Sequence, residues 1–285
     1  VKITHYLHDL AVFPLSFSFR PAADRVAPES SFSLLRGPIV FTPGMGCHRN
    51  WFDSAFRHPA LSNHTLLAVD LPGQGDSPDS PLSRNHRHGF MTTLSECVQG
   101  AVEMVADFDS NEVVNVVAHS MGAIPAYNAW HSIPIHRRGR FISIEGNMTG
   151  EDCALASRKL AQGPDAVAEF IADCAVDTDP AMRRWGTDLA SCDPEFLASF
   201  AAQAVAWCDN PQNEQHWKWA KDTVYLYGER SGFPAHHRDR FEELGIIEQA
   251  IEHSGHFPMH DNPDDLWNIV ADAVRSRRRP LYRDR

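Results

Sequence analysis

Ser120 stands where a hydroxyl could be made to react. It lies in residues 113–123, Val-Val-Asn-Val-Val-Ala-His-Ser-Met-Gly-Ala. The β-branched run 113–117, broken by Asn115, predicts a buried strand. An Ala-rich stretch predicts a helix over residues 121–131. Between them, Ala118-His119-Ser120-Met121-Gly122 leaves no linker, so Ser120 tops a tight strand-to-helix turn. Bulk two residues to either side of the Ser would strike the neighbouring chain. Gly122 meets that need fully and Ala118 nearly so. A Ser hydroxyl is a weak nucleophile until a base takes its proton. The side chain that titrates near neutrality is His. With 16 His in the chain, position must select the base. A carboxylate must then fix the imidazole tautomer.

His256 follows the last predicted strand (residues 246–251) in Ser-Gly-His-Phe-Pro, where Gly255 permits a sharp loop. Two carboxylates qualify as its partner. Glu145 closes the predicted strand 140–145, and Glu229 follows the predicted strand 223–228 directly. A Glu ending an apolar strand is costly unless paired, which favours a working role for Glu145. His253, His256 and His260 are spaced by three and four residues, as metal ligands on a helix would be. Gly255 and Pro258 break any helix there, so no metal is expected. His119, beside the Ser on a sharp turn, is expected to point away and pack against neighbouring loops.

The elements that must position these residues can be read in order. Residues 11–19 alternate and predict antiparallel edge strands interrupted by Pro14. Residues 38–43 predict a buried strand ending in Gly44-Met45-Gly46, where glycines let a ligand approach the backbone. A helix carrying Trp51, Phe52 and Phe56 on one face follows. Residues 64–71 predict a strand running into Asp70-Leu-Pro-Gly-Gln-Gly-Asp-Ser77, and residues 90–108 an amphipathic helix with Leu94, Val98, Ala101, Val102 and Val105 on one face. From 147 to 222 no β-run occurs. Ala-rich helical segments alternate with breaks at Gly163-Pro164, Asp179-Pro180, Asp193-Pro194 and Asn210-Pro211. A helix over 263–274 closes the pattern. Alternating strands and helices imply an α/β fold, a mostly parallel doubly wound sheet covered on both faces.

The Gly-rich loop, the Asp-Leu-Pro-Gly-Gln-Gly turn, the Ser turn and the late Gly-His come in the order of the α/β-hydrolases. The chain resembles that superfamily over residues 36–146 and 223–275. The resemblance implies an α/β-hydrolase core over residues 1–146 and 223–285, with residues 147–222 as a helical cap (lid) inserted over the active site. It implies Ser120 as nucleophile and His256 as base. The backbone N–H groups of Met45 and Met121 would form the oxyanion hole, Pro43 standing where the family commonly has His. The Asp-Leu-Pro-Gly-Gln-Gly turn is architectural in the family. The usual acid position falls on Ser231, which departs from the common pattern. Some members, among them certain haloalkane dehalogenases and lactone hydrolases, carry a Glu at the end of the preceding strand, as Glu145 does here, while Glu229 is the alternative acid.

A Ser nucleophile implies an acyl-enzyme. The expectation is therefore a cofactor-independent serine hydrolase acting on a small-molecule apolar ester or lactone. An acyltransferase, lyase or C–C bond hydrolase using the same site is the alternative, and a binding protein on a decayed site is a third reading. Trp185, Phe196, Phe200, Trp207, Trp217 and Trp219 could line an apolar pocket or simply form cap core. The net charge of −11 argues against nucleic acid, and no apolar run approaches the ~20 residues of a membrane span. Residues 275–285, with six Arg and one Asp, read as a solvated basic end. Residues 1–20 lack a signal-peptide layout, and the six Cys show no Cys-x-x-Cys pair, so a cytoplasmic protein with free thiols is expected, although disulfides among the four Cys between 150 and 210 stay open.

Overall fold

A computed structural model describes residues 4–10, 13–23, 37–78, 90–108, 113–154, 156–210, 213 and 223–275. Eight strands form one sheet: β1 (Thr4–Leu10), β2 (Phe13–Arg20), β3 (Ile39–Thr42), β4 (Leu66–Val69), β5 (Val114–His119), β6 (Arg138–Ile144), β7 (Thr223–Gly228) and β8 (Ile247–Ile251), in the order β1-β2-β4-β3-β5-β6-β7-β8. β1/β2 and β2/β4 pair antiparallel, and every pair from β4 to β8 is parallel. β3, β4 and β5 are buried at every residue. That is why they read as continuous apolar runs, since a parallel sheet covered on both faces has no polar side to alternate with. One expectation is corrected at the edge. β2 runs through Pro14, which pairs in register with Asp9, so the Pro sits near a strand start where a missing N–H is tolerated.

Asn115, the polar break in the β5 run, is a cross-brace. Its Nδ2 donates to Pro38 O at 3.3 Å and its Oδ1 accepts from Arg140 N at 2.9 Å. A buried amide that spans three strands replaces pairs lost where the β5/β6 register shifts between Val114 and Val116.

Ten helices flank the sheet among the described residues. In the core these are α1 (Asp53–Arg57), α2 (Phe90–Phe108) and α3 (Ala123–Ser132). Between β6 and β7 lie α4 (Ser157–Leu160), α5 (Pro164–Ala175), α6 (Pro180–Ala190) and α7 (Pro194–Cys208). After β7 come α8 (Arg238–Leu244), α9 (Pro258–Asp261) and α10 (Pro263–Arg275). α2 buries the five apolar positions that its spacing predicts. Phe41 of β3 meets Phe52 at 5.1 Å and the edge of Trp267 from α10 at 5.9 Å, so the aromatic residues around β3 tie helices to one face.

Between residues 147 and 210 no strand occurs among the described residues. The breaks at Gly163-Pro164, Asp179-Pro180 and Asp193-Pro194 are helix starts. Asp179 Oδ1 accepts from Ala181 N at 2.8 Å and Asp193 Oδ1 from Glu195 N at 2.8 Å, each with Pro at the first helical position. An Asp cap satisfies an orphan N–H, and Pro has none to lose. All six Cys are free and buried. Trp217, Trp219, Pro211 of the Asn210-Pro211 break and the basic end beyond 275 lie outside the described residues.

Candidate active site

Four loops at the carboxyl ends of β3, β5, β6 and β8 converge. Ser120 has φ 50°, a left-handed conformation that costs a non-Gly residue about 1–2 kcal/mol. Its surroundings enforce the turn: a Cβ at Gly122 would lie 2.1 Å from Pro43 O. Glu145 has the same strained φ of 50° at the end of β6. Strain that persists at two converging strand ends points to a site under positional demand.

His256 joins these two residues. Its Nε2 lies 3.1 Å from Ser120 Oγ and its Nδ1 3.3 Å from Glu145 Oε2. The other carboxylate oxygen, Oε1, accepts from Gly228 N at 2.6 Å. Glu145 N itself donates to Leu226 O at 2.8 Å, so β7 holds both ends of this residue. Gly228 must be bare, because a Cβ there would sit 2.2 Å from Gly255 O.

Glu229 is exposed and accepts from His253 N at 3.0 Å. It braces the loop that carries His256 and, among the described contacts, does not touch the imidazole. Arg230 works alongside it. Nη1 donates to His253 O and Nη2 to Asp261 Oδ2, both at 2.7 Å. Asp261 in turn accepts from Gly255 N at 2.9 Å. His119 braces the same loop from below, its Nε2 donating to His256 O at 2.8 Å, with its ring 5.2 Å from that of Phe257.

His119 is 2% exposed, and burial, followed by the nearby charge of His256, pushes its imidazole well below the ordinary value of 6.5. The unfolded chain therefore binds a proton below pH 6.5 that the folded chain refuses until much lower pH. The stability this group contributes is whole above 6.5 and is lost as the pH falls, by at most about 1.4 kcal/mol per pH unit for one proton. Urea midpoints should decline between pH 7 and pH 5. His119→Gln, which keeps an N–H donor without a titrating ring, should reduce that slope.

The loop after β3 lies close to Ser120. A Cβ on Gly44 would lie 3.1 Å from Ser120 Cβ, so the loop passes directly over it. Met45 is 3% exposed, and its N–H has no acceptor among the described residues. A buried amide without a partner is rare in folded proteins. Met121, 1% exposed, begins the turn after Ser120.

Sequence reasoning missed Asn147, Gln74 and the indole N–H of Trp185. Asn147 N donates to Ser120 O at 3.3 Å, and its Oδ1 lies 3.5 Å from Ser120 Oγ. The only sequence signal was its place two residues after Glu145. His253 and His260 do not join His256: His260 Nδ1 pairs with Asp261 Oδ1 at 3.1 Å. Two other groups have metal-type atoms within 4.8 Å of one another among the described residues, Asp152/His236/His237 and His48/Asp70/Asp76. In the first, His236 and His237 both reach Asp152 Oδ1, at 2.9 and 2.8 Å, as ordinary donors to a carboxylate. In the second, Asp70 is already paired with the Arg49 guanidinium, which also reaches Asp76 at 2.8 Å. That arrangement, with Gly75 packed against the Asp70 carboxylate, makes the Asp-Leu-Pro-Gly-Gln-Gly turn an architectural exit from β4.

The fold has counterparts among known proteins. A model of the alpha/beta hydrolase family matches residues 39–269, and the chain belongs to that family. A search of curated protein sequences gives no match. Among solved structures it is similar to an N-acyl homoserine lactonase complexed with N-hexanoyl homoserine (TM-score 0.71, 13% identity, 96% of this chain and 97% of that one). E-2-(acetamidomethylene)succinate hydrolase gives a TM-score of 0.70 at 14% identity, covering 96% and 100% of the two chains. An esterase from Exiguobacterium antarcticum gives 0.66 at 13% identity, covering 93% and 96%. At such identities the likeness is one of fold. Among the described residues no helix is long and apolar enough to cross a membrane.

Proposed function

We propose that the chain is a serine hydrolase that cleaves a carboxylic ester or lactone through an acyl-enzyme. The observation that carries this reading is the continuous relay Ser120 Oγ–His256–Glu145, at 3.1 and 3.3 Å, built on two strained strand ends. As Ser120 Oγ bonds the carbonyl carbon, its proton passes to His256 Nε2. His256 Nδ1–H donates to Glu145 Oε2, which orients the ring and stabilises the imidazolium. The carbonyl oxygen gains negative charge and is met by the N–H groups of Met45 and Met121. Collapse expels the alkoxide, which takes the proton from Nε2. Water then repeats the sequence on the acyl-Ser. Residues 147–222 act as the cap, with α6 lying against the Met45 loop, which supports enclosure of the site from water.

The direct test is labelling with a fluorophosphonate, which needs an activated Ser and no knowledge of the natural substrate. Stoichiometric modification mapped to Ser120 by peptide mass spectrometry is expected, together with release of carboxylic acid from activated aryl esters. An unlabelled Ser120 in the folded protein would defeat the proposal.

A further inference from the structure

The Met45–Gly46 peptide is gripped at both of its polar ends by residues far away in sequence. Its carbonyl, Met45 O, accepts from Trp185 Nε1 of α6 at 2.9 Å, and its N–H, on Gly46, donates to Gln74 Oε1. The preceding peptide is held too, Gly44 O accepting from Cys47 N at 3.1 Å. Of the polar groups on these two peptides, the Met45 N–H alone lacks a partner among the described residues.

The contact with α6 is close. Gly46 has φ 69°, and a Cβ there would lie 2.2 Å from Leu189 Cδ2 and 3.5 Å from Trp185 Nε1. Around it, Trp51 Nε1 donates to Asp188 Oδ2 at 2.6 Å, and the Arg184 guanidinium lies 4.1 Å over the Trp51 ring. Two successive turns of α6, Arg184–Trp185 and Asp188–Leu189, therefore lie against the loop and the Trp51 that follows it. Gln74 is 1% exposed, and its Nε2 finds no partner among the described residues. An unpaired buried donor costs about 1–3 kcal/mol. The fold tolerates that cost to keep an acceptor on Gly46.

We infer that Trp185 and Gln74 are positioning residues for the oxyanion donor: together they set the Met45–Gly46 peptide, and through it the direction of the Met45 N–H. Because one of the two grips comes from α6, the donor is correctly aimed only while α6 lies on the loop. Catalytic competence is thus tied to closure of the inserted helices. This rests on the reading of Met45 N–H as an oxyanion donor.

The test compares wild type with Trp185→Phe and Gln74→Leu. Trp185→Phe keeps an aromatic ring against Phe170 and Phe257, which lie 5.3 and 5.6 Å from the indole, and removes the N–H donor with the rest of the pyrrole ring. Gln74→Leu releases the other end from a different element, so the two variants do not share a folding risk. Misaiming a donor by a fraction of an ångström to one ångström should lower kcat on an aryl ester about 10- to 100-fold. KM should stay within about threefold. Affinity for a trifluoromethyl ketone, whose adduct oxyanion fills the same hole, should fall by the same factor as kcat. The pH midpoint of kcat/KM should not move, since His256 is untouched. Wild-type ketone affinity in both folded variants overturns the inference, as does a shifted pH midpoint with unchanged ketone affinity. If wild-type Ser120 reacts with neither fluorophosphonate nor ketone, the reading of the site fails and takes this inference with it. A reactive wild type with indifferent variants refutes the clamp alone.

Discussion

Ser120→Ala is expected to lower kcat on an activated aryl ester by roughly 10⁶-fold while leaving the thermal midpoint nearly unchanged. The chemistry loses its nucleophile outright. The fold loses little, because Ala meets the same left-handed φ of 50° that Ser does, and the hydroxyl's partners among the described residues are His256 Nε2 at 3.1 Å and the distant Asn147 Oδ1 at 3.5 Å. Gly122, Pro43 and the β5 backbone, which hold the turn, are untouched. Ester hydrolysis measured beside a melting curve checks both halves. Full activity in a folded Ser120→Ala protein would remove the acyl-enzyme from consideration.

Glu145→Gln should cost about 10⁴-fold in kcat, and Glu229→Gln less than about tenfold. The first figure follows from hydrogen-bond direction. Gly228 N–H donates to Oε1 of Glu145, so only an acceptor oxygen can stand opposite it. A Gln at 145 must therefore keep its carbonyl on Gly228 and turn its NH₂ toward His256 Nδ1. Two donors cannot face each other, so Nδ1 becomes the acceptor and the proton moves to Nε2. That nitrogen then faces Ser120 unable to take its proton. Glu229→Gln keeps an oxygen for His253 N and changes only a brace on an exposed loop. Parallel kinetics on the two variants decide between the carboxylates. If Glu229→Gln alone abolishes activity, Glu145 is not the acid.

Local chemistry by itself determined much of this protein. The buried runs of β3, β4 and β5, the helical spacing of α2, and the small residues around Ser120 act over a few neighbours, so periodicity and turn geometry suffice to read them. The mostly parallel sheet was legible too, because strands alternate with helices, whereas the order of its strands appears only in the structure. Edge detail was less legible: Pro14 reads as a break, yet the pairing of β1 with β2 carries the strand through it.

Tertiary structure alone decided which carboxylate meets His256. Glu145 ends one apolar strand and Glu229 follows the next; the cost of an unpaired carboxylate at a strand end favours Glu145, but no local pattern shows which of them reaches the imidazole. Parallel pairing of β6 with β7 sets Glu145 beside Gly228, whose amide turns the carboxylate toward His256, while Glu229 lands one residue farther on and faces His253. The grip of Trp185 on Met45 is of the same kind. Those residues lie 140 positions apart, and an indole N–H meeting a carbonyl across that distance leaves no periodic trace in the chain. Patterns along a sequence record which faces are buried; the direction of a single hydrogen bond exists only once the elements carrying its two ends have packed.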